Sequence, residues 1–315
     1  MSDAAKMPVV DTVFGTYGFA FKRFLTIVKV ALLPSILLMG PILLLVLTQL
    51  GGLFETIIAF AETAEGTEPS EEDIKALMMS LMPFVGVMML MLPLQMLYTS
   101  MLAVPLHRAI VLGETPGFFR IDGLVWRYFF GQIIFCFLIV AIVLAVFVPM
   151  GLGIGLIEGA LGEGQTAGVL ATLGLVLISI VLALFLIIRL CLFMVEISVS
   201  GQFGVRAAFA RTSGNVWRII GAFLLYLLLF IGVSIVMEIV NYGFLGVALA
   251  TNLEALETAG DNEDVAAVLM VLKDMVMSPL GGIYIGVMSV FGLFVAGLEI
   301  ALPAMIYRNL GTQDA

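Results

Sequence analysis

The chain has 315 residues, of which 62% are hydrophobic and only 12% charged, whereas ordinary soluble domains run to roughly 45–50% apolar and 25% charged. So much apolar surface excludes a soluble globule, and a formal net charge of −9 gives no reason to expect a nucleic-acid partner. The single histidine, His107, leaves little room for histidine-based chemistry, and two cysteines, Cys136 and Cys191, both inside apolar runs, read as reduced buried thiols rather than a disulfide framework.

Six apolar stretches reach the roughly 20 residues that a bilayer core about 30 Å thick demands of a helix. They fall near 25–50, 79–104, 129–157, 167–195, 217–247 and 279–305. None shows the two-residue alternation of a barrel strand, so each reads as a helix. The expected fold is an all-α polytopic membrane protein with six transmembrane helices, forming a single transmembrane domain over 1–315.

Ahead of the first span, "FGTYGFAFKRFL" places Phe14, Tyr17, Phe21 and Leu25 at helical spacing, as in a helix lying in the membrane interface. Lys22 and Arg23 follow. The first span is too long for a signal core and is interrupted by Pro34 and Pro41, so it reads as a retained helix. Next comes "EEDIKALMMSLMP", a Met- and Leu-rich helix that Ser70 and Asp73 would open as a capping box. Span two contains Pro93, Gln95 and Tyr98, a polar trace able to line a cavity. Its methionines, Met78, Met79, Met82 and Met89 among them, occur on every side of the helix without cysteine or histidine. That suits packing or lipid contact rather than copper. In span three Pro149 and the glycines at 151, 153 and 155 weaken the helix toward its far end.

Arg189 closes span four, and Arg206, Arg211 and Arg218 precede span five, near whose far end Glu238 and Asn241 suit a solvated edge. "NEDVAAVLMVLKDMVMSP" then echoes the earlier acidic, Met-rich segment. Span six presents Gly282, Gly286, Gly292 and Ala296 as a small face that permits close helix approach. Its Glu299 lies at about the level of Arg189, so the two are a candidate intramembrane pair that would fix helix packing.

Of the fourteen Lys and Arg residues, only Lys75 and Lys273 fall in the alternate loops, which hold most of the acid. Basic bias in short loops sets orientation, so both termini are expected in the cytoplasm. The only two tryptophans recur in one triplet, Val125-Trp126-Arg127 and Val216-Trp217-Arg218, each opening a span. Lys22-Arg23-Phe24 makes a weaker third copy, and three hairpins near 1–112, 113–204 and 205–315 give an approximate repeat. Trp126 and Trp217 are read as interfacial anchors, each beside a basic residue able to reach headgroups.

"DTVFGTYGFAFKRFLTIVKVALLP", "AFARTSGNVWRIIGAFLLYLLLF" and "ALPAMIYRNLG" resemble segments of a bacterial six-helix inner-membrane family. That family includes the membrane domain fused to some glycerophosphodiester phosphodiesterases, and stand-alone relatives of unknown function. The resemblance implies architecture and a place in the bacterial inner membrane. It does not imply diesterase activity, because nothing in these residues supplies the paired carboxylates and histidines that such a phosphodiesterase needs.

The expected function is a non-enzymatic, lipid-contacting role in the envelope or as a scaffold, without cofactor or metal. Lys22, Arg23, Trp126, Arg127, Arg206, Arg211, Trp217 and Arg218 would contact headgroups of membrane phospholipids, anionic ones above all. A protein partner or a homo-oligomer remains open. The alternative is a transporter or lipid-moving protein with a polar cavity between hairpins at Pro93, Gln95 and Tyr98.

Overall fold

The structure, a computed structural model, describes residues 6–64, 70–161, 166–261 and 265–311. In chain order the elements are α1 (Val9–Lys22), α2 (Phe24–Pro34), a π-helical turn (Ser35–Met39), α3 (Gly40–Ala64), α4 (Glu71–Val111), α5 (Gly123–Leu161) and α6 (Thr166–Leu190). They continue with α7 (Phe193–Ser200), α8 (Val205–Thr212), α9 (Val216–Asp261), α10 (Val265–Met277) and α11 (Pro279–Gly311). Among the described residues there is no strand. Among the same residues six stretches are long and apolar enough to cross a membrane: Phe24–Val46, Leu77–Val111, Gly123–Ile157, Thr166–Ser200, Val216–Glu254 and Pro279–Gly311. The protein is an all-α polytopic membrane protein.

The helices outrun the spans read from sequence. α9 has 46 residues, which at about 1.5 Å each is roughly 69 Å, over twice a hydrocarbon core. α4 runs through Pro93, and α5 through Pro149 and the following glycines, without leaving helical geometry, so the segment weakened by those glycines does not unwind. In lipid a broken helix leaves backbone groups with no water to satisfy them, so continuity is favoured. Span one does deform between its prolines. Ser35–Met39 winds as a π turn, with the Gly40 N–H reaching Ser35 O five residues back. Pro41 has no N–H and its ring crowds the preceding turn; the wider turn accommodates both.

The chain forms two compact units. The first comprises Met1–Thr26, Ser100–Tyr226 and Gly297–Ala315. Burial inside it is concentrated in three segments, one of them residues 297–307 of α11, where all but Glu299 and Pro303 are buried. Every residue from Ser100 to His107 is buried, and in α7 Phe193, Val195, Glu196, Ile197 and Ser198 are buried. α5 packs on both α6 and α7. Gly131 is what lets α7 approach, because a Cβ there would collide with Ile197 Cδ1. Ile110, Ala301, Ala304 and Met305 form a core patch, covered by Phe19 and Val111.

The second unit comprises Ile27–Thr99 and Leu227–Ala296. There α3 packs on α10, with Lys273 Nζ 3.1 Å from Glu55 Oε1. Asn241 accepts the Tyr284 hydroxyl, and Tyr284 stacks on Phe244 at 4.3 Å between centroids. Asn241 is therefore an interhelical contact rather than a solvated edge. The two Met-rich segments part company: the first merges into α4, while α10 stops at Met277. Ser278 Oγ accepts the Gly281 N–H at 3.1 Å, and Pro279 opens α11. That is a favoured helix start, whereas Pro83 follows Met82 and has no such cap. Gly282, Gly286 and Gly292 meet nothing among the described residues, so the expected close approach within the chain is not made. Met78, Met79, Met82 and Met89 face outward. Cys136 is exposed, not buried as expected, and Cys191 is partly so. Of the acidic loops, Glu65, Glu68, Glu163, Glu263 and Asp264 lie outside the described residues.

These packings separate two kinds of glycine. Gly131→Ala should cost about 1–3 kcal/mol by overpacking, whereas Gly286→Ala should be neutral or stabilising by up to about 1 kcal/mol. Thermal unfolding of the two variants in one detergent checks the contrast.

Candidate functional site: the arginine-rich helix ends

The starts of spans one, three and five and the ends of spans two, four and six share one side of the membrane by alternation, and most of the arginines lie there. Three of them, Arg108, Arg127 and Arg211, bond α7 or the residue that caps it. A buried helix end needs partners for its last carbonyls, and cations suit that negative dipole end. Arg108 donates to Ser198 O and Val199 O at 3.3 and 3.4 Å, and Arg127 donates to Gly201 O at 3.1 Å. Gly201 turns the chain in the left-handed region at φ 74°. A Cβ there would also sit 2.9 Å from Arg127 Nη1, so glycine serves both the turn and the contact.

α7 also carries a carboxylate with almost no access to solvent, Glu196, 7% exposed. Its Oε2 accepts from Arg211 Nε at 3.1 Å and from the Tyr307 hydroxyl at 3.0 Å. The Arg211 guanidinium lies 4.3 Å from the Tyr307 ring centroid, adding a cation–π contact. α7, α8 and α11 are thus joined at one charged point. Nearby, His107 Nδ1 lies 2.9 Å from Ser198 Oγ, and the ring also bonds the Ile300 backbone. Gln132 donates to Ser100 Oγ at 2.7 Å.

The N-terminal segment is strapped to the same side. Met7 N–H donates to Asn215 Oδ1 at 3.1 Å, and Arg218 donates to Met7 O at 2.9 Å. Tyr17 donates to Tyr226 O at 3.1 Å and Asn309 to Thr12 Oγ1 at 2.8 Å. Burial raises the Tyr17 phenol above its ordinary value. Between spans two and three, Arg108 also bonds Glu114. That bond holds the Glu114 carboxyl below the ordinary range. Burial pushes the Asp122 carboxyl up, but Arg120 and the N–H groups of Val125 and Leu124 outweigh it, and the net shift is downward.

The Val-Trp-Arg triplets adopt one local geometry. Val125 and Val216 are buried, Trp126 and Trp217 are 44% and 73% exposed, and each arginine donates to a backbone carbonyl. Arg127, Arg211 and Arg218, read from the sequence as headgroup contacts, thus also bond within the chain, Arg127 while exposed and Arg211 and Arg218 while partly buried. Lys22, Arg23 and Arg206 are exposed, and among the described residues none is in an ion pair.

Arg189 does not pair with Glu299. Its Nη2 donates to Phe209 O at 2.8 Å, and its guanidinium lies 4.9 Å from the Phe209 ring centroid. Glu299 is exposed. Equal depth along two helices did not bring their faces together; the buried pair is Glu196–Arg211 instead. The signal that could have found it is a lone acid in "LFMVEISVS" followed fifteen residues on by Arg211. Of the candidate cavity residues, Pro93 and Gln95 are exposed, and Tyr98 Oη lies 3.1 Å from Ser35 Oγ beside the π turn. Among the described residues no three His, Cys, Asp or Glu side chains converge as metal ligands would.

Comparison of the chain with protein-family models, with curated proteins and with solved structures finds no match in any of the three.

Removing Arg211 orphans a buried carboxylate. Because Arg211 is itself 34% exposed, Arg211→Ala should cost about 3 kcal/mol, at the low end for breaking a buried pair. Arg206→Ala should stay within about 0.5 kcal/mol of wild type. Unfolding midpoints of the two variants in the same detergent would decide it, and equal midpoints would overturn the structural role of the Glu196 cluster.

Proposed function

We propose that this is a non-enzymatic integral protein of the bacterial inner membrane, with both termini cytoplasmic, whose basic helix ends engage anionic phospholipid as an envelope or scaffold component. One observation carries this reading. α1 lies with Thr12, Val13, Thr16, Tyr17 and Ala20 buried, while Phe14, Phe21 and Leu25 are 57%, 67% and 81% exposed. Lys22 and Arg23 are exposed at the end of that apolar stripe. Aromatic and aliphatic side chains beside free cations form the pattern of a helix resting in the interface. Trp126 and Trp217, exposed in the first turns of α5 and α9, add indoles suited to the headgroup layer. Family kinship with the six-helix relatives noted from the sequence belongs to the same proposal.

The test uses the cations that the fold leaves free. A juxtamembrane Lys or Arg gains about 1 kcal/mol from an anionic surface, roughly fivefold in affinity. Lys22→Gln with Arg206→Gln should therefore reduce enrichment of phosphatidylglycerol around the protein in mixed nanodiscs, by lipid analysis, while leaving its unfolding midpoint unchanged. Enrichment equal to wild type would refute the lipid-contact reading.

The solute-moving alternative draws on the π turn at Ser35–Met39, since such turns recur at working sites in membrane helices. The lipid-contact reading expects Ser35→Cys, in a Cys136→Ser background, to resist a polar thiol reagent. Rapid labelling would instead argue for a hydrated path.

A further inference from the structure

On the basic side, a cleft of about 260 Å³ opens where the α1–α2 junction, the end of α4 with its following loop, and the last turn of α11 meet. Its lining includes Arg23, Arg308, Thr26, Thr115, Glu114 and Phe19. All of these belong to the first compact unit. Its lining mixes charged, hydroxyl and apolar side chains, unlike the groove beneath Trp217. The groove beneath Trp217 is bounded by Leu177, Ile178, Val181, Leu182 and Phe185 and is almost wholly apolar.

The charges in the cleft do not balance. Glu114 is its one carboxylate, and it is already bonded to Arg108 through both Nε and Nη2. Among the described residues Arg23 and Arg308 are in no ion pair, and both are exposed. α4 and α11 both end here, and a helix C-terminus contributes about half a negative charge that fades within one turn. Two full guanidinium charges exceed that. Of the other arginines near these helix ends, Arg108, Arg120 and Arg211 each have a carboxylate and Arg127, Arg189 and Arg218 each have a carbonyl, while Arg206, like Lys22, lies outside the cleft lining. Two arginines lining one polar cleft together with Thr26 and Thr115 suit a tetrahedral oxyanion, for which arginine's planar fork gives paired donors.

We propose that this cleft is a phosphate-recognition site, in which Arg23 and Arg308 grip one phosphate group of a phosphodiester or phosphomonoester. It rests on the lipid-contact reading for the expected source, an anionic phospholipid whose headgroup enters the cleft while its chains stay in the bilayer. A free phosphorylated metabolite would offer the same chemistry. The site differs from the general basic rim in demanding two particular arginines rather than net charge.

The experiment is native mass spectrometry of the full chain released from nanodiscs of phosphatidylcholine containing a minor share of phosphatidylglycerol. Wild type should retain one phosphatidylglycerol through release. Arg23→Gln with Arg308→Gln should lose it, at least tenfold in occupancy, whereas Lys22→Gln with Arg206→Gln should keep it. Should the double arginine variant fail to fold, Thr115→Glu places a carboxylate in the cleft with both arginines intact and should also abolish retention. Competition of the retained lipid by millimolar inorganic phosphate or glycerol phosphate, with the same arginine dependence, would support the site and assign it a soluble ligand. Retention that survives both the arginine and the Thr115 variants, or no retained phosphate compound in wild type, would overturn the proposal. Neither of those results touches the rim, whose failure is read from bulk enrichment in the Lys22 and Arg206 variant.

Discussion

A carboxylate in a protein interior must find a cation or it will not stay there charged. Glu196 finds Arg211, and the consequences extend well beyond that pair. α7 brings Glu196 to a place where Tyr307 of α11 and Arg211 of α8 can both reach it. α7 is thereby enclosed, and once enclosed its terminal carbonyls lose water as a partner. Arg108 and Arg127 take over that role, and Gly201 makes the turn that exposes the last carbonyl to Arg127. Gly131 removes the side chain that would hold α5 away from Ile197. Each of these features is a response to putting a short polar-ended helix inside a membrane protein. The pair itself need not raise stability above what an apolar substitute would give. Its contribution is to specify which three elements meet.

This divides the basic residues into two populations that composition alone treats as one. Arg108, Arg127, Arg189, Arg211 and Arg218 hold carbonyls, rings or carboxylates of their own chain. Lys22, Arg23, Arg206 and Arg308 are exposed. The orientation signal counts all of them, since it depends on the charge a loop carries during insertion. The exposed cations on this side that are available to lipid or phosphate in the folded state are that second group together with Lys6, Lys29 and Arg127. A surface that looks like a broad basic rim in one dimension is a few separate cations in three.

How far the sequence could be read follows from which physical property each feature depends on. Spans depend on the local sum of hydrophobicity, so all six were legible, and so was the strain between Pro34 and Pro41. Helix ends were less so, because α4 and α9 continue well past the bilayer thickness with residues that suit either water or a helix. The Arg189–Glu299 expectation used depth and ignored azimuth: two side chains at one level face each other only if both helices are turned the right way. Arg189 instead curls onto Phe209 of α8, a short helix with two arginines of its own. Tyr17 shows the same limit in miniature. It shares helical spacing with Phe14 and Phe21, yet lies close enough to the inner edge of that stripe to be buried, with its hydroxyl on Tyr226 O. The tryptophan triplets were legible as a recurring unit at the start of a span, while the arginine beside each needed the fold to reveal a backbone partner.

What the bilayer asks of each region explains where order is spent. Lipid tails are as apolar as Leu, so two apolar helices gain little by excluding lipid from between them. Accordingly Gly282, Gly286 and Gly292 face open space, and Leu, Met and Phe side chains lie exposed along the spans. Polar groups are different, because each one buried without a partner is costly in hydrocarbon. The side chains that are both buried and polar, His107, Glu196, Ser198, Thr212 and Asn215 among them, gather near the basic helix ends. There hydrogen bonds cross from one helix to another. The specificity of this fold therefore comes from its minority of polar residues, and its apolar majority serves mainly to keep those helices in the membrane where the polar contacts can form.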